Sequence, residues 1–120
     1  MARLLIVDDE DSVRDVLRQL FEYEGHEVAL AASGDEAIRA VGRTKPDVVF
    51  LDVKMPGKDG LTWCAELKRD PRYARIPIVL LSARGQERDR EQALKSGATE
   101  FMTKPYSPYE LKRLVRRLLG

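Results

Sequence analysis

Short apolar runs alternate along the chain with longer stretches in which apolar residues recur every three or four positions, and there are five of each. That alternation predicts a βα repeat. The runs Arg3 to Val7, Glu27 to Ala31, Asp47 to Leu51, Pro77 to Leu81 and Thr99 to Met102 read as strands. The first, third and fourth are almost wholly apolar, as strands covered on both faces must be, whereas the second and fifth are mixed and read as sheet edges.

The helical stretches carry their own start and stop signals. In the first, Val13, Val16, Leu17, Leu20 and Phe21 form one apolar stripe, with Asp11 placed as its N-cap and Gly25 where the helix must end. Ser33 with Glu36, and Ser107-Pro108-Tyr109-Glu110, have the spacing of capping boxes before the second and fifth helices. The third, about Gly60 to Arg69, and the fourth, about Gln86 to Ser96, are bracketed by Gly60 and Pro71 and by Gly85 and Gly97. Right-handed crossovers then give an open parallel sheet with helices on both faces, whose ligands bind beyond the carboxyl ends of the strands.

Composition narrows the picture. The 120 residues suit one domain, taken as residues 1–120, that can hold a core without staples. With 21 basic and 20 acidic side chains the net charge of +1 gives no reason to expect this segment to bind nucleic acid or an anionic membrane. A lone cysteine, Cys64, excludes an internal disulfide and fits a reducing, cytoplasmic setting. No apolar run approaches the roughly 20 residues of a membrane span, and the acidic Asp8-Asp9-Glu10-Asp11 cuts off any secretory signal after Val7.

The strand ends carry the candidate chemistry. Asp8 and Asp9 follow the first strand, Asp52 the third, Ser82 the fourth and Lys104-Pro105 the fifth. Three carboxylates on one rim repel one another unless something positive neutralises them. Lys104 supplies one charge and a divalent cation two, and magnesium, a hard ion that accepts carboxylate oxygens and keeps several waters, suits the site. Such a rim fits phosphoryl transfer to a carboxylate: Asp52 as the nucleophilic oxygen, a cation on the phosphoryl oxygens, and Ser82, Lys104 and backbone amides as further donors.

Val7-Asp8-Asp9-Glu10, Leu51-Asp52-Val53-Lys54-Met55-Pro56-Gly57-Lys58-Asp59-Gly60, Leu81-Ser82-Ala83 and Thr103-Lys104-Pro105-Tyr106 together resemble the four signatures of the response-regulator receiver domain of bacterial two-component signalling. The resemblance spans essentially the whole chain. It implies a flavodoxin-like doubly wound (βα)5 fold with strand order 2-1-3-4-5. It also implies a phosphoacceptor at Asp52 and Mg²⁺ held by Asp8, Asp9, Asp52 and the Lys54 carbonyl. Ser82 would be the hydroxyl that moves onto the phosphoryl group, Lys104 its charge partner with a cis peptide before Pro105, and Phe101 the aromatic that swings inward. A histidine kinase or histidine phosphotransfer protein would be the donor. The output would lie in a partner or a further domain, and a phosphorylation-dependent homodimer is allowed. On this reading the chain is a switch and not a stand-alone enzyme.

Other residues receive plainer readings. His26 stands in a turn and Cys64 and Trp63 read as packing residues, so no histidine is placed to store a phosphoryl group. Lys54 and Arg84, two residues beyond Asp52 and Ser82, flank the path of a water attacking an acyl phosphate and are expected to slow its hydrolysis. Lys112, Arg113, Arg116 and Arg117 of the last helix, with Glu87, Asp89, Arg90, Glu91 and Lys95 of the fourth, form either a solvated surface or an interaction face. Two alternatives stay open: the receiver part of a longer DNA-binding transcription factor, and an aspartyl-nucleophile phosphohydrolase. Against the latter, Lys54 occupies the place where such enzymes commonly carry a second acid.

Overall fold

The computed structural model describes residues 2–55, 57–83, 85–104 and 106–120. Strands and helices alternate: β1 (Arg3–Val7), α1 (Asp11–Tyr23), β2 (Glu27–Ala31), α2 (Gly34–Thr44), β3 (Val48–Asp52), α3 (Gly60–Arg69), β4 (Ile78–Ser82), α4 (Glu87–Lys95), β5 (Glu100–Thr103) and α5 (Pro108–Leu119). All neighbouring strands run parallel in the order β2-β1-β3-β4-β5, which leaves the two mixed runs at the edges.

Successive side chains of a strand point to opposite faces, so the continuous apolar runs feed two cores at once. Leu5, Val7, Val49, Leu51, Ile78 and Leu80 pack under α2 and α3, through Ala37, Ala40, Val41, Cys64 and Leu67. Leu4, Ile6, Val48, Phe50, Val79 and Leu81 face α1 and α5, through Leu17, Phe21, Leu111, Leu114 and Val115. Helix α4 is the weakly anchored one, with Ala93 its buried residue.

The last three strands each lie one residue later than their apolar runs predict. Backbone pairing continues past the apolar stretch: Val53 N–H donates to the Leu81 carbonyl at 2.9 Å and Lys104 N–H to the Ser82 carbonyl at 2.7 Å. Asp52 and Ser82 therefore stand on strand ends and not in loops.

The caps differ in detail from the sequence reading. Asp11 is the first helical residue and pairs with Arg14, while Glu10 holds the cap position with extended backbone. Ser33 accepts from Glu36 N–H at 3.3 Å, but the Glu36 carboxylate turns to Ala32 N–H at 2.6 Å instead of closing the box on Ser33. Ser107 accepts from Tyr109 N–H at 3.1 Å, one residue before the expected Glu110. Gly34 opens α2 beneath the indole of Trp63, where a β-carbon would come within 1.9 Å of the ring, so this glycine lets α2 and α3 close on each other.

Candidate functional site

The sheet register assembles the site. Val7 pairs with Leu51, so the next residues, Asp8 and Asp52, are neighbours across adjacent strands. Asp52 pairs with Leu81 and Ser82 with Thr103, which brings Ser82 and Lys104 to the same rim. Asp8, Asp52 and Ser82 are the buried polar residues among those described, only 1%, 5% and 6% exposed. Buried carboxylates are costly unless partnered. Lys104 partners both: its Nζ lies 3.1 Å from Asp52 Oδ1 and 3.3 Å from Asp8 Oδ2. The other Asp8 oxygen accepts from Glu10 N–H at 3.0 Å.

Gly60 fits the backbone of β3 closely. Its N–H donates to the Val53 carbonyl at 2.7 Å, and a β-carbon there would stand 2.3 Å from the Asp52 carbonyl oxygen. Above the rim opens a cleft of about 560 Å³ lined by Asp9, Glu10, Asp52, Lys54, Met55, Ala83 and Lys104. Asp52 is thus shielded at its base and reachable from the cleft.

Burial and the neighbouring Asp8 carboxylate push the Asp52 carboxyl up to about 6, against the opposing pull of the Lys104 ammonium. Burial works to lower the Lys104 pKa, but the charges and hydrogen bonds of Asp52 and Asp8 more than offset it and hold the ammonium above the ordinary lysine value. The strained partner is therefore Asp52: a second positive charge in the cleft would favour its ionised form. Burial likewise raises the Tyr106 hydroxyl, opposed by Lys104.

Carboxylate oxygens of Asp8, Asp9 and Glu10 lie within 4.8 Å of one another. An all-oxygen donor set beside a carboxylate that one lysine does not fully neutralise suits a hard divalent cation. Of the residues expected to hold one, Asp8 and Asp9 fall in this group, Asp52 joins Asp8 through Lys104, and Lys54 lines the cleft with an exposed side chain.

Phe101 lies opposite Leu80, buried in the core, with the Arg90 guanidinium 5.6 Å above its ring. The hydrolysis-tuning expectation at Arg84 and the cis peptide at Pro105 lie outside the described residues. His26 is structural: its Nδ1 accepts from Ala2 N–H at 3.1 Å, and burial lowers its pKa. Cys64 is fully buried, and burial raises its thiol pKa. Arg113, Arg116 and Arg117 of α5 are exposed. Arg116 pairs with Glu24 at 3.0 Å and Arg117 with Glu100, while Lys112 stands 5.9 Å over Tyr23. Glu10, Arg14 and Tyr106 were not singled out in the sequence. Glu10 and Tyr106 lie inside the quoted motifs, but only the folded turn shows their proximity to the site.

The arrangement has counterparts. A sequence model of the response regulator receiver domain matches residues 4–116. The chain belongs to that family. It is 43% identical to the response regulator PleD of Caulobacter vibrioides over 98% of its own length and 26% of that protein. It is 38% identical to RpaA, a DNA-binding dual master transcriptional regulator of Synechocystis, over 99% of its own length and 49% of that protein. The receiver domain described here thus spans a quarter to a half of these relatives. Among solved structures, chemotaxis protein CheY4 of Vibrio cholerae superposes with a TM-score of 0.92 at 30% identity, covering 98% of both chains. Some relatives carry DNA-binding activity in their full length, and the part shared with this chain is the receiver.

Proposed function

We propose that this receiver domain accepts a phosphoryl group on Asp52 from a phosphohistidine of a histidine kinase or phosphotransfer protein, in a Mg²⁺-dependent step. The observation that carries the reading is the buried Asp52 carboxylate, open to the cleft and sharing the Lys104 ammonium with Asp8. A carboxylate oxygen of Asp52 attacks phosphorus and a P–O bond forms. The P–N bond breaks, its electron pair returns to the donor imidazole, and that ring takes a proton from solvent. Mg²⁺, held by Asp8, Asp9, Asp52 and the Lys54 carbonyl, would supply positive charge to the phosphoryl oxygens and to the three carboxylates. Lys104, 3.1 Å from Asp52, would hold one of those oxygens and the Ser82 hydroxyl another.

The added charge then shifts the population of the loops after β3 and β4 and of the α4–β5–α5 surface. Phe101 is the aromatic that reports the shift; because its ring is buried here, the unmodified protein must also sample an outward ring for Phe101 to switch. The output belongs to a partner, a second copy, or a DNA-binding part of a longer protein, the last favoured by RpaA. No helix among the described residues is long and apolar enough to cross a membrane; together with the lone cysteine this supports a cytoplasmic setting. The chain acts as a switch that modifies itself, with no released small-molecule product.

Intact-mass spectrometry after incubation with acetyl phosphate and Mg²⁺ tests the central step. Wild type should gain one phosphoryl unit and Asp52→Asn none. An adduct that persists in the variant, or never forms on wild type, sinks the assignment.

A further inference from the structure

The turn between β1 and α1 is closed by a side chain that none of the motifs includes. Arg14, in the first turn of α1, reaches back over that turn: its Nη1 donates to the Asp8 carbonyl oxygen at 2.7 Å, and its Nη2 pairs with the Asp11 carboxylate. Its own N–H donates to the Glu10 carbonyl at 3.2 Å. The Arg14 side chain is only 14% exposed, although that of its partner Asp11 is 88% exposed. One rigid, planar fork therefore spans the stretch that carries Asp8, Asp9 and Glu10, and fixes its two ends relative to each other as a flexible ammonium could not.

Asp8 is held at every polar group. Its N–H donates to the Ala31 carbonyl at 3.1 Å, its carboxylate accepts from Glu10 N–H and Lys104, and its carbonyl accepts from Arg14. The first contact comes from the sheet and the second set from Lys104 and the Glu10 cap of α1, so Arg14 adds, among the described residues, a side-chain tie from within α1 itself. The mutual repulsion of three carboxylates whose oxygens lie within 4.8 Å tends to splay the turn. A cation on its outer side opposes that.

We propose that Arg14 is a positioning residue: it clamps the β1–α1 turn so that the Asp8 and Asp9 carboxylates are already placed before a divalent cation arrives, lowering the concentration of cation needed. The inference rests on the reading of this acidic group as the Mg²⁺ site.

Two variants test it, Arg14→Lys, which keeps the charge but not the fork, and Arg14→Met, which keeps neither. In the metal-free protein, losing a charge-assisted hydrogen bond should speed hydrogen exchange at the Glu10 amide about tenfold in both. The Mg²⁺ concentration for half-maximal phosphorylation by acetyl phosphate should rise severalfold, while the rate at saturating Mg²⁺ and the Tm of Arg14→Lys stay near wild type. Unchanged Glu10 exchange overturns the clamp, as does faster exchange with an unchanged Mg²⁺ requirement. Full rescue by lysine overturns it too, because charge alone would then suffice. If the methionine variant does not fold, the lysine variant decides. A wild type that shows no Mg²⁺ binding by calorimetry sinks the proposed function, and Glu10 exchange still decides whether Arg14 orders the turn.

Discussion

Asp52 pays for its position in protonation. Its carboxyl ionises near 6 in the fold, against 3.8 for an ordinary aspartate. Because the folded value is the higher one, folding takes up a proton between about pH 4 and 6. For this group alone, stability rises as pH falls from 7 through 6 towards 4, and the ionised form above pH 6 carries a penalty of the order of 2–3 kcal/mol. Asp52→Asn should therefore be more stable than wild type at pH 8, with the advantage shrinking towards pH 5; urea unfolding at both values checks this, and a constant difference would remove the stated cause. Lys54 belongs to the same scale. It lines the cleft above Asp52, which, on the proposed function, a water attacking the acyl phosphate would cross. Lys54→Ala should shorten the half-life of the phosphorylated form severalfold, and a mass-spectrometric decay course that does not change would show that another group sets the rate.

At the scale of elements, the ends of strands and helices separate what builds the site from what only supports it. A methyl group at residue 60 would collide with the Asp52 carbonyl at the end of β3, so Gly60→Ala should cost about 1–3 kcal/mol. It should also slow phosphorylation, since the backbone that moves carries the nucleophile. Ser33→Ala removes the N-cap of α2 and should cost about 1 kcal/mol with the phosphorylation rate at saturating Mg²⁺ unchanged. Thermal unfolding paired with the acetyl phosphate assay distinguishes the two, and equal rate losses would mean that the site feels any loss of stability. Helix α4 differs from the others because Ala93 is its buried residue, and its side chains hold β5 through Arg90, 3.9 Å from Glu100 and stacked over Phe101. An element held by so few apolar contacts is the one a modest change at the rim can shift.

Across the whole molecule, near-zero net charge conceals a separation. Carboxylates gather at the carboxyl ends of β1 and β3, while the cations of α5 are spent in part on pairs with Glu24 and Glu100. A phosphoryl group or its analogue at Asp52 would act on a rim joined to β5 through Ser82 and Lys104, and from β5 to Arg90 of α4 through Glu100 and Phe101, whereas among the described residues β2 meets it through the sheet. With beryllofluoride and Mg²⁺, amide exchange should change at α4 and β5 and remain unchanged through β2. A response of equal size at β2, or none at α4, would remove the proposed route.

The order of elements, the two-faced burial of the central strands and the gathering of Asp8, Asp52, Ser82 and Lys104 at the strand ends were legible in the sequence because apolar period and motif spacing are local along the chain. Even the edge strands followed from composition, since a strand covered on fewer sides need not be apolar throughout. Other features were decided only by tertiary structure. The ends of β3 to β5 depend on a neighbour's carbonyl, and the raised pKa of Asp52 depends on burial and on a carboxylate 44 positions away in sequence. The Arg14 fork depends on how the turn folds back over itself. Apolarity marks what leaves water, whereas pairing, protonation and clamping depend on distances between residues that the chain alone does not set.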